Sequence, residues 1–187
     1  MDTEGSTRFI PLLGVVLFLA LGFGWRAWRQ YRLTGSTGVF LFRSGSWVQH
    51  ARESALLALV VTLLAQAVAH AVSPDALRSF QLWSGPLSGI EVAIGSLLLF
   101  GGLVLMLAAQ LDLGSSWRIG FDLDARPGLV TSGFYRFCRN PIYLTLFVIL
   151  AGFTLLVPTW LSLGFFAGTL VGIRNQVVEE ESFLSEK

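Results

Sequence analysis

The chain has little with which to ligate a metal, close a disulfide or hold a soluble surface. Of its 187 residues one is cysteine, Cys138, and two are histidine, His50 and His70. A lone cysteine has no internal disulfide partner, CxxC spacing is absent, and two histidines cannot build a His-rich metal cluster. No metal site is expected. Charged residues make up 13% of the chain and hydrophobic residues 53%, whereas a soluble domain carries roughly a quarter charged residues. The net charge of +1 comes with no block of basic residues, which excludes the electrostatic footprint of a nucleic-acid binder. Internal repeats, low-complexity tracts and a separate soluble domain are absent as well. What remains is an integral membrane protein in a single membrane domain, 1–187.

The apolar runs set its organisation. The first extends from Phe9 to about Trp25, with Pro11 in its first turn, where a missing amide donor is tolerated. Asp2 and Glu4 precede it and Arg26, Arg29 and Arg32 follow it, the reverse of a cleaved leader, so it is expected to stay as a helix. The second and third runs, Ala55 to Val72 and Val92 to Leu111, suit a hydrocarbon core of about 30 Å. The last, Ile142 to Ile173, is broken at Val157-Pro158-Thr159. As one helix it would reach about 48 Å, too long for the bilayer, so a helical hairpin turning at Pro158 is expected. The predicted fold is all-α, with five transmembrane helices of which the last two are short. Residues 1–111 supply three of them, and 112–187 supply a loop, the hairpin and an acidic terminal helix. On helix three, Gly95, Gly101, Gly102, Ala108 and Ala109 are expected at close-packed positions.

Arginines orient the chain. The loop between helices one and two carries Arg26, Arg29, Arg32, Arg43 and Arg52, and that between three and four carries Arg118, Arg126, Arg136 and Arg139, against Arg78 alone on the other side. The positive-inside rule then places the amino terminus outside and the carboxyl terminus inside. All the candidate chemistry falls on the cytoplasmic face.

Two features carry that chemistry. Arg139-Asn140-Pro141 combines a preferred N-cap with a preferred first helical residue, so it starts helix four with its amides and positive dipole end at the interface. Such an end holds a carboxylate or phosphate, and Arg139 adds a bidentate donor. Taken alone, the tripeptide reads equally as a cap beside an interfacial anchor, and Tyr135 and Tyr143 as belt aromatics. Glu179, Glu180 and Glu181 follow the last apolar run. They form either a solvated helix extension or a site wall, for helical spacing puts Arg174, Val178 and Glu181 on one face. A carboxylate there attracts a cationic ligand such as a sulfonium, or serves as a base. The Asp112 to Asn140 loop is too short for a Rossmann unit, so a nucleotide-like cofactor would sit on helix ends. Gln66, His70 and Glu91 read as packing or interfacial residues.

From Leu113-Gly114-Ser115-Ser116-Trp117 through LVTSGFYRFCRNPIY to Glu180-Glu181 and Leu184, the chain resembles the isoprenylcysteine carboxyl methyltransferase and phospholipid methyltransferase superfamily. The resemblance covers roughly residues 103 to 187. It rests on an Arg-His-Pro-x-Tyr box and a distal Glu-Glu pair separated by a helical hairpin, with Asn140 here in the histidine position. Asparagine keeps a polar side chain but does not titrate near neutrality, which makes it a poor acid or base. Family members usually continue with a Phe-Gly, a tyrosine pair and a basic segment; this chain ends at Lys187, so it is either shortened or closes its site differently.

The resemblance implies S-adenosylmethionine as cofactor and a lipophilic acceptor, either an isoprenylcysteine-like carboxylate or a phospholipid-like amine. It makes Tyr135, Arg139, Asn140, Pro141 and Tyr143 one cofactor wall, and Arg174, Glu180 and Glu181 the opposing wall. Arg139 and Glu181 are the catalytic candidates, while Trp117 and Arg118 are candidates for contacting the acceptor. Two other readings stand beside it: an NADPH-dependent, sterol-reductase-like enzyme, whose larger helix count fits poorly, and a non-enzymatic helical scaffold.

Overall fold

The computed structural model describes residues 6–43, 47–83, 85, 87–120 and 130–185. Three helices are long and apolar enough to cross a membrane: α1 (Ile10–Thr34), α2 (Trp47–Val72) and α3 (Gly89–Asp112). Two further helices follow, α4 (Pro141–Leu156) and α5 (Trp160–Ser185), and the apolar part of the latter, Trp160–Gly172, is short. Large apolar side chains cover the outside. Leu97 and Val104 on α3 are 71% and 66% exposed, an exterior stable in lipid and not in water. The chain is a multi-pass, all-helical membrane protein; among the described residues its strands amount to one parallel pair of two-residue segments, β1 (Val39–Phe40) and β2 (Ile119–Gly120).

Both early helices outrun their apolar segments. α1 continues through a π-helical stretch, Phe18–Trp25, and then carries Arg26, Arg29 and Arg32 on its last turns, where a loop was expected. Nothing in Arg26–Thr34 breaks a helix; the stop is Gly35, which takes the left-handed conformation at φ 76°. α2 likewise begins at Trp47 and not near Ala55, because its polar first turns contain no breaker.

Apolar area gives helices no reason to associate in lipid, so close packing at small residues must hold them. The α3–α4 seam is built this way. A Cβ on Gly95 would meet Leu156, one on Gly102 would meet Ile149, and one on Gly152 would strike the backbone of Leu99. Contacts that step down α4 as they step up α3 make the pair antiparallel. Of the small residues expected in this seam, Gly95, Gly102 and Ala109 recur every seventh residue and are buried. Gly101 corrects the expectation: one residue, about 100°, off that stripe, it has open space where a Cβ would go.

Gly14 and Gly22 of α1 abut Leu99 and Met106, so α1 and α3 run parallel. Stacked Phe147 and Phe166 rings, 4.5 Å apart, and a Thr154 Oγ1 to Ser162 carbonyl bond of 3.3 Å pair α4 with α5 antiparallel. The expected hairpin is present. Its turn, Val157 to Thr159, starts α5 with reciprocal bonds: Thr159 N–H donates to Ser162 Oγ at 3.1 Å, and Ser162 N–H to Thr159 Oγ1 at 3.0 Å. Thr159 Oγ1 also donates to the buried Gln66 Oε1, so Gln66 serves packing as anticipated, whereas Glu91 closes a capping box with Ser88, a role not anticipated for it. These directions bring the carboxyl ends of α1, α3 and α5 and the amino end of α4 to one end of the bundle.

Candidate functional site

At that end α4 starts as the sequence foretells, with Pro141 at its first position and Asn140 before it. The expected side-chain cap does not form. Ser88, which does cap α3, sits in extended backbone at φ −68°, ψ 155°, whereas Asn140 sits at φ −130°, ψ 67°. That twist turns the carboxamide away from the geometry in which an N-cap oxygen meets the amides of the first turn. Asn140 still supplies its carbonyl, which accepts from Leu144 N–H at 3.3 Å. The first-turn amides lack helical acceptors by construction, and Arg139 beside them is exposed.

The approach to this helix is anchored by a residue that sequence reasoning missed. Asp112, the last residue of α3, accepts the Phe134 N–H through Oδ2 at 2.8 Å. This docks the short 3₁₀ turn Gly133–Arg136 onto α3. Gly133 has φ 59°, and a Cβ there would strike the Asp112 carboxylate, so only glycine fits. The signal was available: an acid ending an apolar span and a glycine beginning the YR segment.

Within the turn, Tyr135 is half-buried, and its phenol is pushed up to about 12, by burial first and then by Asp112, Cys138 and Tyr143. Two of the expected wall residues, Tyr135 and Tyr143, are thus neighbours. At neutral pH Tyr135 is a neutral hydroxyl donor.

The residues expected to form the opposing wall, Arg174, Glu180 and Glu181, fall on α5. Counted along the antiparallel axis from the Phe147–Phe166 pair, Pro141 is level with about Gly172 of α5, and Arg174, which is exposed, follows one half-turn later. Glu180 and Glu181 fall on the same continuous helix, which runs to Ser185. They lie roughly 12 Å farther along its axis, at 1.5 Å per residue, and their side chains lie outside the described residues. Arg139, Asn140, Pro141 and Tyr143 therefore gather at the start of α4, with Tyr135 in the turn before it.

Trp117 is placed differently, only 2% exposed. Its ring lies 4.7 Å from the guanidinium of Arg26, itself fully buried. Arg26 donates to Gln30 Oε1 at 3.1 Å, to the Gln110 carbonyl at 3.3 Å and to the Gly114 carbonyl, so it closes the carboxyl end of α3. Gln30 adds a bond to the Ser115 carbonyl at 2.6 Å, and Gln110 Nε2 one to the Gly22 carbonyl at 3.2 Å. Arg118 is half-buried next to this cluster. The cluster was not anticipated, although an arginine directly after an apolar run and a glutamine inside one are its traces.

A cavity of about 20 Å³ lies elsewhere, lined by Gly14, Val15, Phe18, Leu63, Leu99 and Ile149 among others. Its walls are apolar and it lies amid the helices, so it offers nothing to a charged cofactor.

The α4 start, its Asp112 anchor and α5 lie in a segment that a known family model covers. The model of the phospholipid methyltransferase family matches residues 90–187, more than half of the chain. The chain belongs to that family. No curated protein and no solved structure matches it. The phospholipid methyltransferase match begins at the first turn of α3, so it takes in the Gly95–Gly102 seam, the Asp112 anchor, the α4 start and all of α5.

The donor set fits the cofactor of such an enzyme. First-turn amides without helical acceptors and the exposed Arg139 at a positive helix end suit the carboxylate of S-adenosylmethionine.

Proposed function

We propose that the chain is an S-adenosylmethionine-dependent methyltransferase acting on a lipophilic acceptor, foremost the amine of a phospholipid. The observation that carries this reading is the hairpin's layout. Arg139 and the α4 amides begin one helix of the hairpin, and Arg174 and two glutamates follow on the other, all inside the segment matched to the family.

When bound, S-adenosylmethionine supplies a methyl group already activated on a positively charged sulfur. The protein's task is then alignment and exclusion of water more than acid-base catalysis. Arg139 and the amides of Ile142 and Tyr143 hold the carboxylate end. Tyr135, a neutral phenol at physiological pH, donates to a polar atom without competing as an anion. Glu180 and Glu181 favour the positive end by charge, and Arg174 orients the carboxylates. An amine acceptor must lose a proton to become nucleophilic, and Glu181 receives it. Asn140 takes no part in proton transfer. A carboxylate acceptor would need no base and is the second candidate. The arginine distribution supports a cytoplasmic location for this face.

Calorimetry on detergent-purified protein tests the cofactor. S-adenosylhomocysteine is expected to bind at micromolar concentration and NADPH not to bind. The reverse order would overturn the methyltransferase reading in favour of a reductase.

A further inference from the structure

Helices α3 and α4 bring ends of opposite polarity to one level. The seam contacts Gly95–Leu156 and Gly102–Ile149 step seven residues up α3 for seven down α4, so counting onward sets Asp112, the last residue of α3, level with the start of α4. A helix's amino end is the positive end of its dipole, and its carboxyl end is negative and disfavours an acid. Asp112 is therefore an anion at a negative end, close to the positive end of α4.

Its charge is uncompensated. Among the described residues the carboxylate pairs with no arginine or lysine and accepts one bond, from Phe134 N–H to Oδ2 at 2.8 Å. Asp112 is half-buried and its other oxygen is not sealed from the outside, so that oxygen is within reach of a ligand. The backbone here offers no substitute. The carbonyls of Gln110 and Gly114 are taken by Arg26, that of Leu111 by Leu113 N–H and that of Leu113 by Ser116 N–H. A cation arriving at this end meets the Asp112 carboxylate.

The same carboxylate acts on Tyr135, as does Tyr143 from the first turn of α4, so acid, phenol and helix start form one neighbourhood. An amino acid carries its ammonium and its carboxylate on a single carbon. When Arg139 and the α4 amides hold the carboxylate, the ammonium falls beside them, while the sulfonium lies two carbons farther along the chain.

We propose that Asp112 binds the ammonium of the amino-acid end of S-adenosylmethionine, so that neighbouring helix ends of opposite sign read the zwitterion. The assignment rests on the methyl-donor reading and adds to it a residue of α3.

Calorimetry on the full chain in detergent tests it, with S-adenosylhomocysteine and its analogue lacking the α-amino group as probes. The parent is expected to prefer S-adenosylhomocysteine by about tenfold, the worth of one charge-assisted bond. Asp112→Asn and Asp112→Ser each keep an oxygen for the Phe134 amide. Both are expected to lose that preference while binding the deaminated analogue like the parent. Arg139→Ala is expected to weaken both ligands alike, since both retain the carboxylate. Variants at Asp112 that still prefer S-adenosylhomocysteine would overturn the proposal. So would an equal loss for the two ligands, which would leave Asp112 as an anchor of the turn alone. Loss of the preference in Glu181→Gln and not in Asp112→Asn would hand the ammonium to α5. A parent that binds neither ligand would sink the cofactor reading itself, whereas binding that the Asp112 variants leave untouched sinks this assignment alone.

Discussion

Arg26 and Arg139 lie at the same end of the bundle and do opposite things. Arg26 is fully buried, its donors turned inward to the carbonyls that end α3 and its plane set against Trp117. Arg139 is exposed beside the amides that begin α4. The first is part of a frame, and the second belongs to an open polar edge that the frame holds in place. The difference is one of helix polarity: a carboxyl end offers acceptors that an internal cation satisfies, whereas an amino end offers donors that need an anion from elsewhere. Variants in the frame should therefore lower stability, and variants at the edge should change ligand binding at constant stability.

The strongest way to break this division is at the α3–α4 seam. Gly152→Val forces side-chain atoms into the backbone of Leu99. Overpacking against backbone that cannot move aside should cost about 3 kcal/mol or more, read as a lower unfolding midpoint in detergent. Gly101→Val on the same helix pair meets open space and should leave the midpoint nearly unchanged. Equal losses from both would mean that the seam is not the frame.

Arg26→Ala comes next. It removes the donors that close α3 and leaves the Gln110 and Gly114 carbonyls unpaired in a buried setting, a loss of about 2 kcal/mol. Arg26→Lys should recover only part, because an ammonium cannot span several carbonyls and lie flat on an indole. Full recovery by lysine would reduce Arg26 to a plain interfacial charge.

At the open edge, Arg139→Ala should weaken S-adenosylhomocysteine binding about tenfold, or about 1.4 kcal/mol, with no change in unfolding midpoint. Glu181→Ala should act in the same direction. A fall in stability without a change in affinity would move Arg139 into the frame and leave the α4 end as a cap only.

Much of the open edge was legible in the sequence, and little of the frame. Asn140-Pro141 marks a helix start and Val157-Pro158-Thr159 a turn by local backbone chemistry, which is why both boundaries fall where expected. Arg26 reads as a loop residue because a charge after an apolar run usually ends a span. Its neighbours Ala27, Trp28 and Gln30 are nevertheless compatible with a helix, and the carbonyls that satisfy it come from residues far along the chain. Gly95 and Gly102 could be told from Gly101 only by the seven-residue repeat that ends in Ala109. The missing cap at Asn140 had no local trace, for nothing in Arg139-Asn140-Pro141 itself sets the φ −130°, ψ 67° at which Asn140 sits.

Tyr135 tests where the frame stops and the edge begins, with the smallest effect. Its phenol is raised from 10.0 to about 12 by burial and by Asp112, so the folded chain keeps a proton that the unfolded chain releases near pH 10. Between about 10 and about 12 the unfolded state binds fewer protons than the folded state, and stability must fall as pH rises through that window. Below it, Tyr135 contributes no pH dependence. Titration of phenolate absorbance should show a late step that vanishes in Tyr135→Phe, together with part of the alkaline loss of stability. Asp112→Asn should bring the step to lower pH by removing the repelling charge, though not to the unfolded value, since burial is the larger cause. If Tyr135 instead titrates near 10 in the parent chain, the turn is solvated and the boundary of the frame lies at Asp112, one element earlier.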